Sequence, residues 1–360
     1  MLFASSRSRP GRRRFLAGAV AALAVPALAA CAGGRADLFA RRGYSVHLAG
    51  LHQPRAIAFA PDGPLFLAEA DSDLREGRIS SVNASGRAGV LHSGLPRYPS
   101  PYGDDEDVGL AGIEYLDGSI YGVIGQGEDD LSSFLFRVDP DGAFVPLANL
   151  KHHPALGFPP QAPTPAIESE SGIVLYDPNN LFDLAYHPDQ DGFYISDAGA
   201  NWILAVTPDG AEVDYIAQYS RSGDHTVPTG IVVGPDGAVY HGLLSGFPYN
   251  IGDGVVSRID ADRNVTDFVL GVTMPIDVAW GPDGLLYVLE FGQGLDDGAP
   301  PGITAASGRV LRKSRGSLDL VIDGLNYPYA MAFGPSGDLW ITVNSSFGEP
   351  GSGQLIRVTL

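Results

Sequence analysis

The chain has 360 residues, 44% of them apolar, and a formal charge of −19 from 23 basic and 42 acidic side chains. That apolar share can build a core, so a disordered chain is excluded. The acidic balance repels phosphate backbones, so nucleic acid is excluded as a partner and cations are favoured.

Residues 1–30 are set apart from the fold. Arg12, Arg13, Arg14, Phe15 and Leu16 form a twin-arginine pattern, followed by an apolar stretch to Ala30 that Pro26 interrupts. The stretch is too short to span a bilayer and reads as an export signal. Leu28-Ala29-Ala30-Cys31 resembles a bacterial lipobox, and Cys31 is the chain's single cysteine. The expectation is an exported protein anchored to the outer face of a bacterial membrane by lipidated Cys31. The alternative is cleavage after Ala27-Leu28-Ala29, giving a soluble secreted or periplasmic protein. Residues 31–43 read as a tether.

From residue 44 to 360 one sentence is repeated six times: an apolar run, a Pro/Asp/Gly turn, and a second apolar run. Pro sets φ and Gly permits positive φ, so each copy predicts a β-hairpin. The first runs are Pro54–Phe59, Leu110–Tyr115, Phe182–Tyr186, Pro228–Val233, Pro275–Trp280 and Pro328–Phe333. Pro188, Pro235, Pro282 and Pro335 recur at spacings of 47, 47 and 53 residues, close to one four-stranded propeller blade. Two further β-rich runs follow each hairpin, except that the last copy has only Gln354–Val358 before the chain ends. Tyr44–Leu48 stands where the missing strand should be. The sequence therefore predicts an all-β, six-bladed β-propeller closed by an N-terminal strand at about residues 44–48.

Ile195-Ser196-Asp197-Ala198-Gly199-Ala200-Asn201 is similar to the NHL repeat, in which a strand ending in Asp leads to a short loop with Asn. Asp177-Pro178-Asn179-Asn180, Val227-Pro228-Thr229-Gly230, Ser245-Gly246-Phe247-Pro248, Ile276-Asp277 and Tyr287–Glu290 extend the likeness. On these residues the chain resembles the ScyD/ScyE family of exported NHL-like propellers. The resemblance implies the fold over residues 44–360 and brings no reaction with it. Leu243 stands where relatives often have Glu.

Aligning the six copies gives two rings of equivalent positions. The third residue of the first strand is Ala56, Gly112, Asp183, Gly230, Asp277 and Ala330. The end of the second strand is Glu69, Ile124, Asp197, Leu243, Glu290 and Val343. Small residues suit the axis where strands converge, so Asp183 and Asp277 stand out there. Five acids at one channel mouth repel unless they hold a cation or share protons. Oxygen donors without Cys or clustered His suit Ca²⁺ or Mg²⁺, which makes Asp183, Asp277, Glu69, Asp197 and Glu290 candidate metal ligands. The competing reading is that Glu69, Asp197 and Glu290 cap backbone N–H groups of loops.

Three insertions, Gly94–Gly109, Asn149–Asn180 and Gly292–Ala306, map to the same face by connection order and would form a cleft. Arg55, His225 and Asn201 are further candidates on that face. The reading that follows is a propeller that binds a small molecule or protein partner at the channel face without established catalysis. One alternative is a divalent-cation hydrolase resembling the gluconolactonase and strictosidine-synthase-like propellers. Another is a quinone-dependent sugar dehydrogenase, which would draw on His225 and Arg55.

Overall fold

The computed structural model describes residues 43–61, 63–71, 76–99, 107–127, 130–151, 167–168, 174–175, 179–219, 227–246, 249–296 and 302–360. Arg42–Leu360 form one compact unit. It is a six-bladed β-propeller of antiparallel sheets, each blade running from its first strand at the axis to its fourth at the rim. Blade one consists of Pro54–Phe59, Leu65–Glu69, Gly77–Val82 and Ala88–Leu95. Blade two consists of Asp107–Leu116, Ser119–Ile124, Phe134–Val138 and Phe144–Asn149. Blade three is Leu181–His187, Gly192–Asp197, Trp202–Val206 and Val213–Gln218, and blade four is Val227–Val233, Val239–Leu244, Gly254–Ile259 and Val265–Val272. Blade five is Pro275–Trp280, Leu286–Glu290, Gly308–Ser314 and Ser317–Leu325. Blade six is Met331–Phe333, Leu339–Val343 and Gly353–Val358, completed by the N-terminal strand Tyr44–Leu51.

The ring closes as expected through the N-terminal strand, with Tyr44 opposite Val358 and Val46 opposite Ile356, so the first and last strands leave no open seam. Two details depart from the expectation. Arg97–Pro99 pairs with the start of blade two's first strand (Tyr98 opposite Val108), so both ends of the Gly94–Gly109 insertion form a ribbon. In blade six the first strand begins at Met331, not Pro328. There the Tyr329 N–H donates to the Thr342 carbonyl and the Thr342 N–H to the Ala330 carbonyl, while Thr342 Oγ1 accepts the Ala330 N–H.

The apolar content is spent between blades. Six buried clusters fill the six seams, each built from the facing sides of two neighbouring sheets. Ala68 and Ile79 of blade one, for example, pack with Leu110 and Phe136 of blade two, and Tyr287 and Leu289 of blade five pack with Ile341 and Ile356 of blade six. Second strands are sandwiched on both sides, which is why Leu286–Glu290 is buried at every position. Truncating one such side chain, Leu289→Ala, is expected to cost about 2–5 kcal/mol.

Aromatic pairs seal the seams at the face carrying the hairpin turns. Tyr240 meets Trp280 at 5.2 Å, Tyr287 meets Phe333 at 4.9 Å, and Trp340 meets Phe59 at 6.0 Å between ring centroids.

Candidate functional site

The first strands line the channel. In five blades the ladder to the second strand slips at the same place: between Pro54 and Ala56, Leu110 and Ile113, Leu181 and Asp183, Pro228 and Ile231, and Pro275 and Asp277. A bulge bends a strand and re-aims its side chains. Here it falls on the ring that contains Asp183 and Asp277. The channel encloses about 250 Å³.

Both aspartates do the same thing, one in blade three and one in blade five. Asp183 accepts the N–H of its own neighbour Leu184, and its Oδ2 accepts the Ile231 N–H of the next blade at 3.0 Å. Asp277 Oδ1 accepts the Val278 N–H at 2.7 Å, and Oδ2 accepts the Met331 N–H of the next blade at 2.6 Å. Each carboxyl ties its blade to the next one beside the axis. The preceding blade makes room for it with glycine. A Cβ at Gly112 would lie 2.7 Å from the Asp183 Cα, and one at Gly230 would lie 2.6 Å from the Asp277 Cα. The alternation Gly112, Asp183, Gly230, Asp277 around the ring is thus a packing rule.

A third carboxyl, Glu114 of blade two, joins them on the channel wall. Burial pushes its pKa up to about 8, with the negative potential of Asp183 adding to the effect. Burial likewise raises Asp183 to about 7. Asp277 is raised well above its usual value by burial and then by Asp183. The sequence reading missed Glu114. It lies two residues beyond Gly112, hence on the same side of the strand, and period-two alternation was the available signal.

The acids of the second ring are elsewhere and otherwise engaged. Glu69 Oε1 accepts the His52 N–H at 2.8 Å, and Oε2 accepts Arg78 Nε at 2.9 Å. Glu290 Oε1 accepts the Thr273 N–H at 2.7 Å, while Oε2 takes Arg309 Nε and Gln293 Nε2. Asp197 Oδ1 accepts the N–H groups of Asn180, Gly199 and Ala200 at 2.8, 3.1 and 3.0 Å, and Oδ2 accepts Asn179 Nδ2 at 2.6 Å. All three carboxylates are buried. Their geometry is that of loop caps. Asn201 belongs to the same cap: it is buried at φ 61° and its carbonyl accepts the Tyr219 N–H at 2.9 Å.

Among the described residues no three His, Cys, Asp or Glu side chains are grouped to hold a metal ion. Each channel aspartate already accepts two backbone N–H groups, about half of the acceptor sites a carboxylate has. Cys31 and His225 lie outside the described residues.

On the loop-bearing side, the residues preceding the ring positions of blades one, three and six form a stopper. Phe182 of blade three stacks on Tyr329 of blade six, centroids 5.3 Å apart and planes at 22°. In a ring of six these blades stand opposite one another, so the pair crosses the channel. Arg55 of blade one lies over the Tyr329 ring at 4.3 Å. It donates to Ser346 Oγ at 2.7 Å and to Gln53 Oε1 at 3.1 Å. Beside it on the same face, Phe291, Tyr327 and Phe347 meet at 5.9–6.2 Å. Tyr327 and Phe347 hold φ of 43° and 59°, a backbone region that bulky residues seldom occupy. Such strain persists only where the surroundings hold it, and it concentrates at binding sites.

No family model matches the chain, and no curated protein matches it in sequence. Solved structures do resemble it. One is an oxidoreductase from Thermus thermophilus described as a glucose dehydrogenase, with TM-score 0.53 and 18% identity over 88% of this chain and 99% of that one. A second glucose dehydrogenase has TM-score 0.52 and 14% identity over 88% and 99%. A gluconolactonase from Xanthomonas campestris has TM-score 0.53 and 12% identity over 88% and 89%. Likeness at this level is likeness of fold.

Proposed function

We propose that the chain is an exported propeller, held at the outer face of a bacterial membrane through Cys31, that binds a small molecule or protein partner at the loop-bearing face of the channel. The ScyD/ScyE-like motifs accord with this reading. One observation carries it: at the mouth a guanidinium, itself only 3% exposed, lies on a stack of aromatic rings, Arg55 over Tyr329 over Phe182, with three further aromatics beside it. Arg and Tyr supply much of the binding energy in recognition sites because they combine large flat area with directed polar groups. An anionic or aromatic ligand suits such a surface.

The test is thermal stability in the presence of a panel of aromatic and anionic metabolites. A ligand that binds only the folded state raises Tm. A stabilising compound should lose its effect in Arg55→Ala and in Tyr329→Ala, each first shown to unfold cooperatively. Stabilisation that survives both substitutions contradicts the proposal. For the anchor, Cys31→Ser is expected to release the protein from the membrane fraction; unchanged membrane association contradicts it.

A second reading, a divalent-cation hydrolase of lactones or esters, is favoured by the gathering of Glu114, Asp183 and Asp277 in one channel. The name of the Xanthomonas neighbour points the same way. Against it stand the four backbone N–H groups that the two aspartates accept. A Ca²⁺ titration of the wild type and its channel variants separates the two readings.

A further inference from the structure

The six blades also carry a second repeated device at the hairpin-turn face, and one blade lacks it. The second residue of each second strand, or its neighbour, is aromatic: Phe66, Tyr121, Tyr194, Tyr240, Tyr287 and Trp340. The residue opposite it on the third strand is Arg137 in blade two, Arg258 in blade four, Arg312 in blade five and Arg357 in blade six. These guanidinium groups lie against the rings. Arg258 is 5.9 Å from the Tyr240 centroid and Arg357 is 5.5 Å from that of Trp340. Each is also paired with a carboxylate, Arg137 with Asp139, Arg258 with Asp236, Arg312 with Asp283 and Arg357 with Asp338. Blade three has Ala205 opposite Tyr194, and there Arg263 of the next blade approaches the tyrosine closely enough to act on its titration.

Blade one has Ser81 opposite Phe66. Where the other blades place a guanidinium, the seam between blades one and two opens into a pocket of about 840 Å³. Phe66 and Tyr115 form its aromatic wall, stacked at 5.9 Å with planes at 17°. Pro61, Pro140 and Leu91 add apolar surface, and Asp117 is the acidic residue of its lining. Among the described residues no Lys, Arg or His lines it. Phe66 and Tyr115 are only partly buried, so their rings are reachable.

We propose that this pocket binds a guanidinium group from outside the chain, an arginine side chain of a partner polypeptide, in the place that the chain's own arginines fill in the other seams. Three features on the molecule point to that chemistry. An aromatic face attracts a cation through its quadrupole, and a planar guanidinium can stack on it as well. Asp117 offers the opposite charge. The net charge of −19 favours approach of a cationic segment. The proposal is independent of the loop-bearing face, because the pocket lies at the opposite end of the blades.

The experiment is ligand-observed saturation-transfer NMR on the full chain with N-acetyl-arginine amide as the probe. N-acetyl-citrulline amide, of the same shape without the charge, serves as the control. The expected result is transfer to the arginine probe and not to citrulline. In Ser81→Arg, which restores the internal guanidinium, transfer is lost while the thermal transition is kept or raised. Asp117→Asn retains the fold and weakens the arginine probe roughly fivefold, the size of one solvent-exposed ion pair. Equal transfer to citrulline, undiminished transfer in Ser81→Arg, or no transfer to the arginine probe each overturns the proposal.

Discussion

Two layers of carboxylates lie within this propeller, and they look alike as letters but not as chemistry. Glu69, Asp197 and Glu290 sit at the ends of second strands, where each gathers several donors. In blades one and five the donors include an arginine at the same register position, Arg78 or Arg309. Glu114, Asp183 and Asp277 sit on the axis, where no arginine pairs with them among the described residues and burial lifts all three pKa values. The difference teaches that donor count and the sign of the neighbours decide the role of a buried acid, whereas burial alone does not. The outer layer orders the loops as caps. The axial layer ties blades together and favours protonation.

The largest effect that would sharpen this contrast belongs to the outer layer. Glu290→Ala orphans the Thr273 N–H and leaves Arg309 without its buried partner, so a loss of about 3 kcal/mol is expected by denaturant unfolding. A loss below the usual scatter of surface substitutions would show that the cap is dispensable. Next comes Gly230→Ala, whose new methyl meets the backbone of Asp277. Overpacking of this kind costs about 1–3 kcal/mol, and an unchanged chemical-denaturation midpoint would refute the Gly–Asp packing rule.

A smaller effect concerns pH. An acid whose folded pKa is raised binds its proton more tightly in the fold, so its stabilisation is complete below the unfolded value near 4 and is lost as pH rises through the folded value. Glu114 and Asp183, at about 8 and about 7, therefore erode stability between pH 4 and 8. His241 opposes them at the acid end. It is buried, it accepts from or donates to Tyr219 Oη at 2.7 Å, and burial lowers its pKa to about 4. Its contribution is present above about 6.5 and fades as pH falls toward 4. Above about 6.5 the channel acids Glu114 and Asp183 remain in play, and Tm is expected to fall from pH 6.5 to 8. The double variant Glu114→Gln/Asp183→Asn should flatten that fall. A wild-type Tm that rises over the same range would contradict the assignment.

Much of the fold could be read from the chain because its signals are local and repeated. The Gly-Pro-Asp-Gly turns at 234–237 and 281–284 announce hairpins, and the last copy lacks the one strand that Tyr44–Leu48 supplies. The site was less legible. Asp183 and Asp277 could be placed on the axis by counting residues, but their partners, Ile231 and Met331, are 48 and 54 residues away. No local pattern carries that pairing. Glu114 escaped notice because the alignment tracked one ring position and its side chain projects at the next one on the same face. The Phe182–Tyr329 stack joins opposite blades, a contact that exists only once the ring is closed. Ser81 is conspicuous only against the arginines that occupy its register in other blades.

The central claim is that the axial acids bind the ring together through backbone N–H groups and are not ligands for a cation. It is tested most directly by the thermal transition of the wild type and of Asp183→Asn and Asp277→Asn, each with and without Ca²⁺ in excess. The account predicts no Ca²⁺-dependent rise in the wild type, together with a pH dependence that each asparagine weakens. A Ca²⁺-dependent rise in the wild type that both asparagine variants abolish would contradict it and establish the channel as a cation site.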